Sequence, residues 1–229
     1  MLQQTQVERV IPYYRAWIKK FPTVRALGNA PLSDALTAWQ GLGYNRRAKN
    51  LHKAATILMK LPRFPETPEA LETLPGIGHY TARAIAAFAF NQDVVFVETN
   101  IRTALLHHFF PNTTKVDDKD LVPFLAQALP KGRAREWYSA LMDYGSALKR
   151  SGVRLNTKVR GYTKQSLFKG SLREVRGAIL RTLSKGAQTK AALLSLVGRE
   201  RAEQVDTALQ ALLKEGMVER VGRRFRLAS

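Results

Sequence analysis

Apolar residues recur at three- and four-residue spacing through most of the first 148 residues of this 229-residue chain, and that period constrains its fold more than any other feature. Val7, Val10, Ile11, Tyr14 and Ile18 form one such stripe, which reads as a single buried helical face. Pro22 and the Ala30-Pro31-Leu32-Ser33 stretch punctuate the pattern, and Leu32, Ala35, Leu36 and Trp39 open a second stripe. Gly41-Leu42-Gly43 breaks that stripe, and Ala48, Leu51, Ala55 and Leu58 carry a third. Short connections between helices with one apolar face predict a compact all-α domain over 1–148. Val94–Val97 is the sole strand-like run there and is too short to propose a sheet.

The pattern changes after residue 170. Leu172, Val175, Ile179, Leu180 and Leu183 line one amphipathic helix, and Lys190–Leu196 forms a second. Arg199–Lys214 forms a third, with Val205, Leu209, Leu212 and Leu213 inward and Gly216 as a left-handed stop. Met217–Val221 and Arg224–Leu227 then alternate around Gly222-Arg223, as the two strands of a wing do. Three helices and a basic hairpin predict a small α+β winged-helix domain over 171–229. Winged helices hold protein as well as DNA; the wing arginines favour DNA.

Charge narrows the partners. The chain carries 37 Lys+Arg against 18 Asp+Glu, a net charge of +19. Residues 149–170 hold Lys149, Arg150, Arg154, Lys158, Arg160, Lys164 and Lys169 with no acid, and read as a basic linker along a phosphate backbone or as a solvated tether. Such a field attracts polyanions, nucleic acid ahead of an anionic membrane. No apolar run approaches the roughly 18 residues that a spanning helix needs. The opening Met1-Leu2-Gln3-Gln4-Thr5 has no secretory pattern, so the expected setting is cytoplasmic, at the nucleoid in a prokaryote, without a membrane partner. The chain has no cysteine, which argues against disulfides, thiolate zinc sites and cysteine-held iron–sulfur clusters. His52 and His79 are isolated, and the adjacent His107 and His108 face different sides of a helix, so no metal site is expected.

Leu74-Pro75-Gly76-Ile77-Gly78-His79-Tyr80-Thr81 precedes the small-residue helix Ala82–Phe90. Glycines two apart let the backbone turn tightly and approach a ligand without an intervening side chain. Their amides and the following helix N-terminus can cradle a phosphate without reading base sequence. This is the hairpin of a helix-hairpin-helix element.

With that hairpin, the segments MLQQTQVERVIPYYRAWIKKFPT, LTAWQGLGYNRRAKNLHKAA, VETNIRTALLHH and ALMDYG complete five separated blocks. In order and spacing they resemble the helix-hairpin-helix glycosylases related to endonuclease III, and most closely the MutY-type adenine DNA glycosylases, over about residues 1–148. The resemblance implies base-excision repair by a monomer on double-stranded DNA, with hydrolysis of the N-glycosidic bond of an adenine mispaired with 8-oxoguanine or G. It implies Gln4 and Tyr44 as wedges in the emptied base stack. Taken alone, Gln4 also reads as a solvent-facing residue and Tyr44 as an ordinary aromatic after a turn. It further implies Glu98 as the carboxylate that stabilises an oxocarbenium-like sugar, Asn100 as a polar residue holding the site, and Tyr80 as a pocket tyrosine. The plainer reading of Glu98 is an acid favourable at a helix N-terminus. Arg46, Arg47, Gly76, Gly78, His79, Thr81, Lys149 and Arg150 join Gln4 and Tyr44 as expected DNA contacts.

Several positions depart from the family. Its second carboxylate is normally Asp rather than Glu98, and its general acid falls two residues before Met1. The expectation is either a chain that begins inside a longer protein or a protein lacking that acid, and slow excision by residues 1–229 in both cases. Tyr80 stands where bifunctional relatives carry the lysine that attacks the sugar, so lyase chemistry is not expected. Lys149 stands at the first cluster cysteine, which implies a variant with no iron–sulfur cluster and no other cofactor. A winged helix replaces the hydrolase-like domain that reads 8-oxoguanine. The competing readings are a non-catalytic DNA-binding or damage-sensing protein and a winged-helix transcription regulator on a vestigial scaffold.

Overall fold

A computed structural model of the chain describes residues 1–3, 5–113, 115–155 and 167–229. In chain order the helices are α1 (Val7–Lys20), α2 (Val24–Asn29), α3 (Leu32–Ala38), α4 (Arg46–Leu58), α5 (Pro68–Glu72) and α6 (His79–Phe90). These are followed by α7 (Thr99–Phe109), α8 (Asp118–Ala128), α9 (Ala134–Arg150), α10 (Leu172–Leu183), α11 (Lys190–Val197) and α12 (Ala202–Lys214). Strand β1 (Gln188–Thr189) precedes α11, and β2 (Val218–Val221) and β3 (Arg224–Leu227) close the chain.

The chain falls into two compact units, Met1–Phe64 with Ser166–Ser229, and Pro65–Gln165. This division differs from the 1–148, 149–170 and 171–229 segmentation expected from chain order. Hydrophobic burial joins the C-terminal elements to the first helices. Leu36 and Trp39 share one cluster with Val175, Ile179 and Leu180 of α10, Leu212 of α12 and Leu227 of β3. Trp39 also packs edge-on to Trp17, with ring centroids 5.4 Å apart.

Two helical faces differ from the sequence expectation. On α1 the buried residues are Val10 and Trp17, while Val7, Ile11, Tyr14 and Ile18 are exposed. The helix carries two apolar stripes, and the one bearing Trp17, leading to Phe21, offers the core more area. On α4 Leu51 is exposed, and Ala54 joins Ala48 and Ala55 as the buried set. Small residues win there because the α2 backbone comes close: a Cβ on Gly28 would lie 3.1 Å from the carbonyl carbon of Ala55.

The winged helix forms as expected, with two differences. A 3-10 turn, Arg199–Arg201, leads into α12, and Gly216 stops that helix at φ 60°. The wing is antiparallel, with Val218 opposite Leu227 and Val221 opposite Arg224. The two-residue β1 adds a third strand against β3, giving the order β1-β3-β2. Two residues are too few to display an alternation, which is why the sequence pattern does not reveal β1.

In the second unit, Ile101, Leu105 and Leu106 of α7 pack with Leu121 and Leu125 of α8 and Tyr138 of α9. Residues 94–97 pair in no ladder; the Tyr138 hydroxyl donates to the Val94 carbonyl at 2.9 Å. No helix among the described residues is long and apolar enough to cross a membrane.

These burial patterns separate two substitutions of similar size. Leu36→Ala removes a fully buried side chain and is expected to cost about 2–5 kcal/mol, against less than about 0.5 kcal/mol for Ile11→Ala. Urea denaturation checks both; a comparable loss for Ile11→Ala contradicts the exposed face of α1.

Candidate functional site

Within Pro65–Gln165, the hairpin lies between α5 and α6. Thr67 caps α5 by accepting from the Ala70 amide at 3.3 Å, with Pro68 in the first turn, where its missing N–H matters least. Buried Leu71 and Leu74 anchor the turn. Gly76 has φ 79°, a conformation that costs a side-chain-bearing residue energy and glycine little. Gly78 is the N-cap of α6 and supplies no side-chain acceptor; a Cβ there would meet nothing within 4 Å. The positive end of α6 therefore has no side-chain cap and open space at its cap residue. Gly76, Gly78 and His79 are exposed and Thr81 is half-buried. Beside them Glu72 meets Nδ1 of His79 at 3.2 Å and Nη1 of Arg83 at 2.7 Å.

The first turn of α6 also carries Tyr80. Its ring stands edge-on to Phe96, with centroids 5.8 Å apart, and Phe96 packs on Tyr138 at 4.2 Å. Burial, reinforced by the Glu98 carboxylate, pushes the Tyr80 phenol up to about 12, so it is protonated at neutral pH. Glu98 is the N-cap of α7, where its Oε2 accepts from the Asn100 amide at 2.7 Å. The plain helix-capping role is therefore real. It also fixes the carboxylate in the neighbourhood of Tyr80.

Gly145 of α9 lies against the same turn. A Cβ there would stand 2.0 Å from the Asn100 carbonyl oxygen, so only glycine permits this approach of α9 to α7. Lys149 follows four residues later on the same face of α9 and is half-buried. Burial pulls the Lys149 ammonium below its ordinary value; the Glu98 carboxylate opposes this, while Arg102 and Arg154 add to it. Tyr80, Glu98, Asn100 and Lys149 thus gather in one place, whereas Arg150 is exposed and donates to Ser146 Oγ at 3.1 Å. Sequence reasoning missed Gly145 as part of the site; its signal was the last letter of ALMDYG.

The remaining expected contacts belong to the other unit. Tyr44 lies in the loop between α3 and α4, exposed and left-handed at φ 48°, an uncommon conformation for a bulky residue. The Arg47 guanidinium sits 5.6 Å from the Tyr44 ring centroid and 5.2 Å from that of Trp39. It donates to the carbonyls of Met1, Gln3, Leu42 and Gly43, so Arg47 braces the loop that presents Tyr44. Arg46 is exposed and pairs with Glu215 at 2.9 Å, which also holds Arg176 at 2.6 Å. Gln4, and Lys158, Arg160 and Lys164 of the basic segment, lie outside the described residues.

Two other histidines make polar contacts inside the fold: His52 Nε2 is 2.7 Å from the Ala30 carbonyl, and His108 Nε2 is 2.7 Å from the Tyr144 hydroxyl.

The close approach at Gly145 predicts that Gly145→Ala destabilises the fold by about 1–3 kcal/mol, despite the better helix propensity of alanine. Thermal unfolding checks this; a stabilised variant contradicts the contact with Asn100.

Comparison with known proteins places these features. Residues 1–130 match the HhH-GPD superfamily of base excision DNA repair proteins. The chain is 35% identical over 256 residues to the adenine DNA glycosylase of Mycolicibacterium smegmatis, an alignment covering 100% of this chain and 85% of that protein. It is 36% identical over 157 residues to the human adenine DNA glycosylase, covering 65% of this chain and 28% of the other. A thermostable thymine-DNA glycosylase shares the fold with a TM-score of 0.56 at 24% identity, over 63% of this chain and 69% of that one. A trapped endonuclease III–DNA covalent intermediate does so with a TM-score of 0.52 at 20% identity, over 67% and 71%. An uncapped hairpin, a tyrosine on the helix that follows it and a helix-capping carboxylate, with a match across more than half of the sequence, show that this chain belongs to the HhH-GPD superfamily of base excision DNA repair proteins.

Proposed function

We propose that the chain is a monofunctional adenine DNA glycosylase, which hydrolyses the N-glycosidic bond of an adenine flipped out of a duplex opposite 8-oxoguanine or guanine. The observation that carries this reading is the double use of the start of α6: its uncapped end is suited to a backbone phosphate, and its first turn bears Tyr80 beside Glu98. The adenine DNA glycosylases among its relatives support the choice of base.

The residues divide the work. Backbone amides of the hairpin hold a phosphate and leave the bases unread. Extrusion of the target nucleotide costs a few kcal/mol, and Tyr44 fills the vacated stack. The C1′–N9 bond breaks with its electron pair leaving on adenine, which takes up a proton; water adds at C1′ and loses one. Glu98, held by the Asn100 amide, sets negative charge against the sugar cation as it develops. Tyr80 walls the pocket as a neutral phenol and, unlike a lysine, offers no amine to the sugar. The strand is therefore left intact at the abasic site.

The cysteine-held cluster of the family does not fit the residues present: the sequence has no cysteine, and Lys149 stands at the first ligand position. In this proposal the protein works without it, as a monomer on chromosomal DNA in the cytoplasm, with Lys149 and Arg150 among its phosphate contacts. A second reading is a damage sensor without catalysis, in which Glu98 serves as a helix cap alone.

Single-turnover incubation with duplexes bearing A opposite 8-oxoguanine, G or T, followed by alkaline strand cleavage, separates the two. Single-turnover excision is expected to be measurable opposite 8-oxoguanine. Glu98→Gln is expected to abolish it; unchanged cleavage assigns the cation's stabilisation to another group. Selective binding without cleavage supports the sensor. Tyr44→Ala is expected to reduce discrimination between mismatched and matched duplex more than total affinity, and equal losses contradict the wedge.

A further inference from the structure

The winged helix has no assigned task in this scheme, and its charges point away from the usual one. A winged helix that reads DNA lays its third helix in the major groove. Here that helix, α12, carries two acids, Glu203 and Asp206, against one base, Lys214. Asp206 is also paired with Lys190 at 2.6 Å. Of the module's other cations, Arg173, Arg176 and Arg181 lie on α10 and Arg220, Arg223, Arg224 and Arg226 on the wing, with Lys185, Lys190, Arg199 and Arg201 between them.

Two contacts carry α10 to the Tyr44 loop, inside the same compact unit. Arg173 Nη1 donates to the Tyr44 hydroxyl across 3.4 Å, a long hydrogen bond. One turn further on, Arg176 shares Glu215 with Arg46, the first residue of α4 and the second after Tyr44. Burial opposes the charge on Glu215, but the two guanidiniums outweigh it and hold the carboxyl below its usual range. The loop is thus braced twice. Arg47 grips its backbone and stacks on the ring, and α10 holds the tip of that ring from the far end of the sequence. A side chain on a left-handed backbone needs such over-determination to keep one orientation.

We propose that Arg173 is a positioning residue for the Tyr44 wedge, and that the winged helix contributes to lesion discrimination through this contact rather than by inserting α12 into a groove. The inference rests on the wedge role of Tyr44 in the proposed function. Fixing the phenol before DNA arrives lowers the entropy lost when it enters the stack, so the benefit falls on duplexes whose base is easily extruded. A simple phosphate contact benefits every duplex alike.

The test is a double-mutant cycle on the full chain, measuring equilibrium binding to A·8-oxoguanine and matched duplexes at one salt concentration. Arg173→Ala is expected to lower the mismatched-to-matched affinity ratio by about 3–10-fold, and to leave it unchanged when introduced into Tyr44→Ala. Arg173→Lys, whose ammonium can still meet the hydroxyl, is expected to restore part of the ratio. Tyr44→Phe removes only the hydroxyl and is expected to lower the ratio as Arg173→Ala does, which keeps the test available if Arg173→Ala does not fold. Equal losses on both duplexes, an undiminished effect in the Tyr44→Ala background, or a wild-type ratio in Tyr44→Phe overturns the positioning role alone. A wild-type protein with no preference between the duplexes overturns the wedge reading itself, and this inference with it.

Discussion

The candidate active site depends on one close approach, the backbone of α9 at Gly145 against the carbonyl of Asn100. That contact sets the first turn of α7, and the first turn of α7 sets Glu98, because the carboxylate is tied to the Asn100 amide. The same face of α9 then brings Lys149 alongside. A methyl group at position 145 would push the helices apart at the point where the chemistry is assembled. Protein interiors transmit such displacements rather than absorbing them.

Two helix N-termini are used in opposite ways. At α6 the cap residue is glycine, without a side-chain acceptor, so the positive end is suited to an anion from outside. At α7 the chain supplies its own anion, Glu98, which satisfies an amide and holds a carboxylate beside Tyr80. A charge-assisted hydrogen bond of this kind contributes about 1.5–3 kcal/mol, against about 0.3–1 kcal/mol for a charge near an exposed helix end. The hydrogen bond therefore decides where Glu98 sits, and the helix end reinforces it. Capping and catalysis are compatible because one carboxylate oxygen is enough for the cap.

What was legible in the sequence was local. Leu74–Thr81 announces its hairpin because each requirement, a tight turn and an open helix start, is met by residues adjacent in the chain. The winged helix is legible through the apolar period of α10 and α12 and the alternation of β2 and β3. What was not legible was decided by tertiary competition. The two stripes of α1 are both apolar, and the burial of Trp17 and Phe21 with Trp39 selects between them. Arg47 reads as a DNA contact by charge, yet its carbonyl acceptors lie in a loop and an N-terminal segment brought together by folding. Gly145 reads as a weak point in a helix, and its value lies in a neighbour 45 residues earlier in the sequence. The two compact units cross the sequence segmentation because apolar surface is buried where it fits, not in chain order.

In this proposal the hairpin amides leading into Tyr80 hold a DNA phosphate. Backbone amide NMR titration of the full chain with a short duplex at low salt checks it at those atoms. The Gly76, Gly78, His79 and Tyr80 amides are expected to shift together, with similar amplitude on mismatched and matched duplex, and the shifts to fade as salt rises. Resonances of these four amides that stay in place while duplex binds elsewhere contradict it.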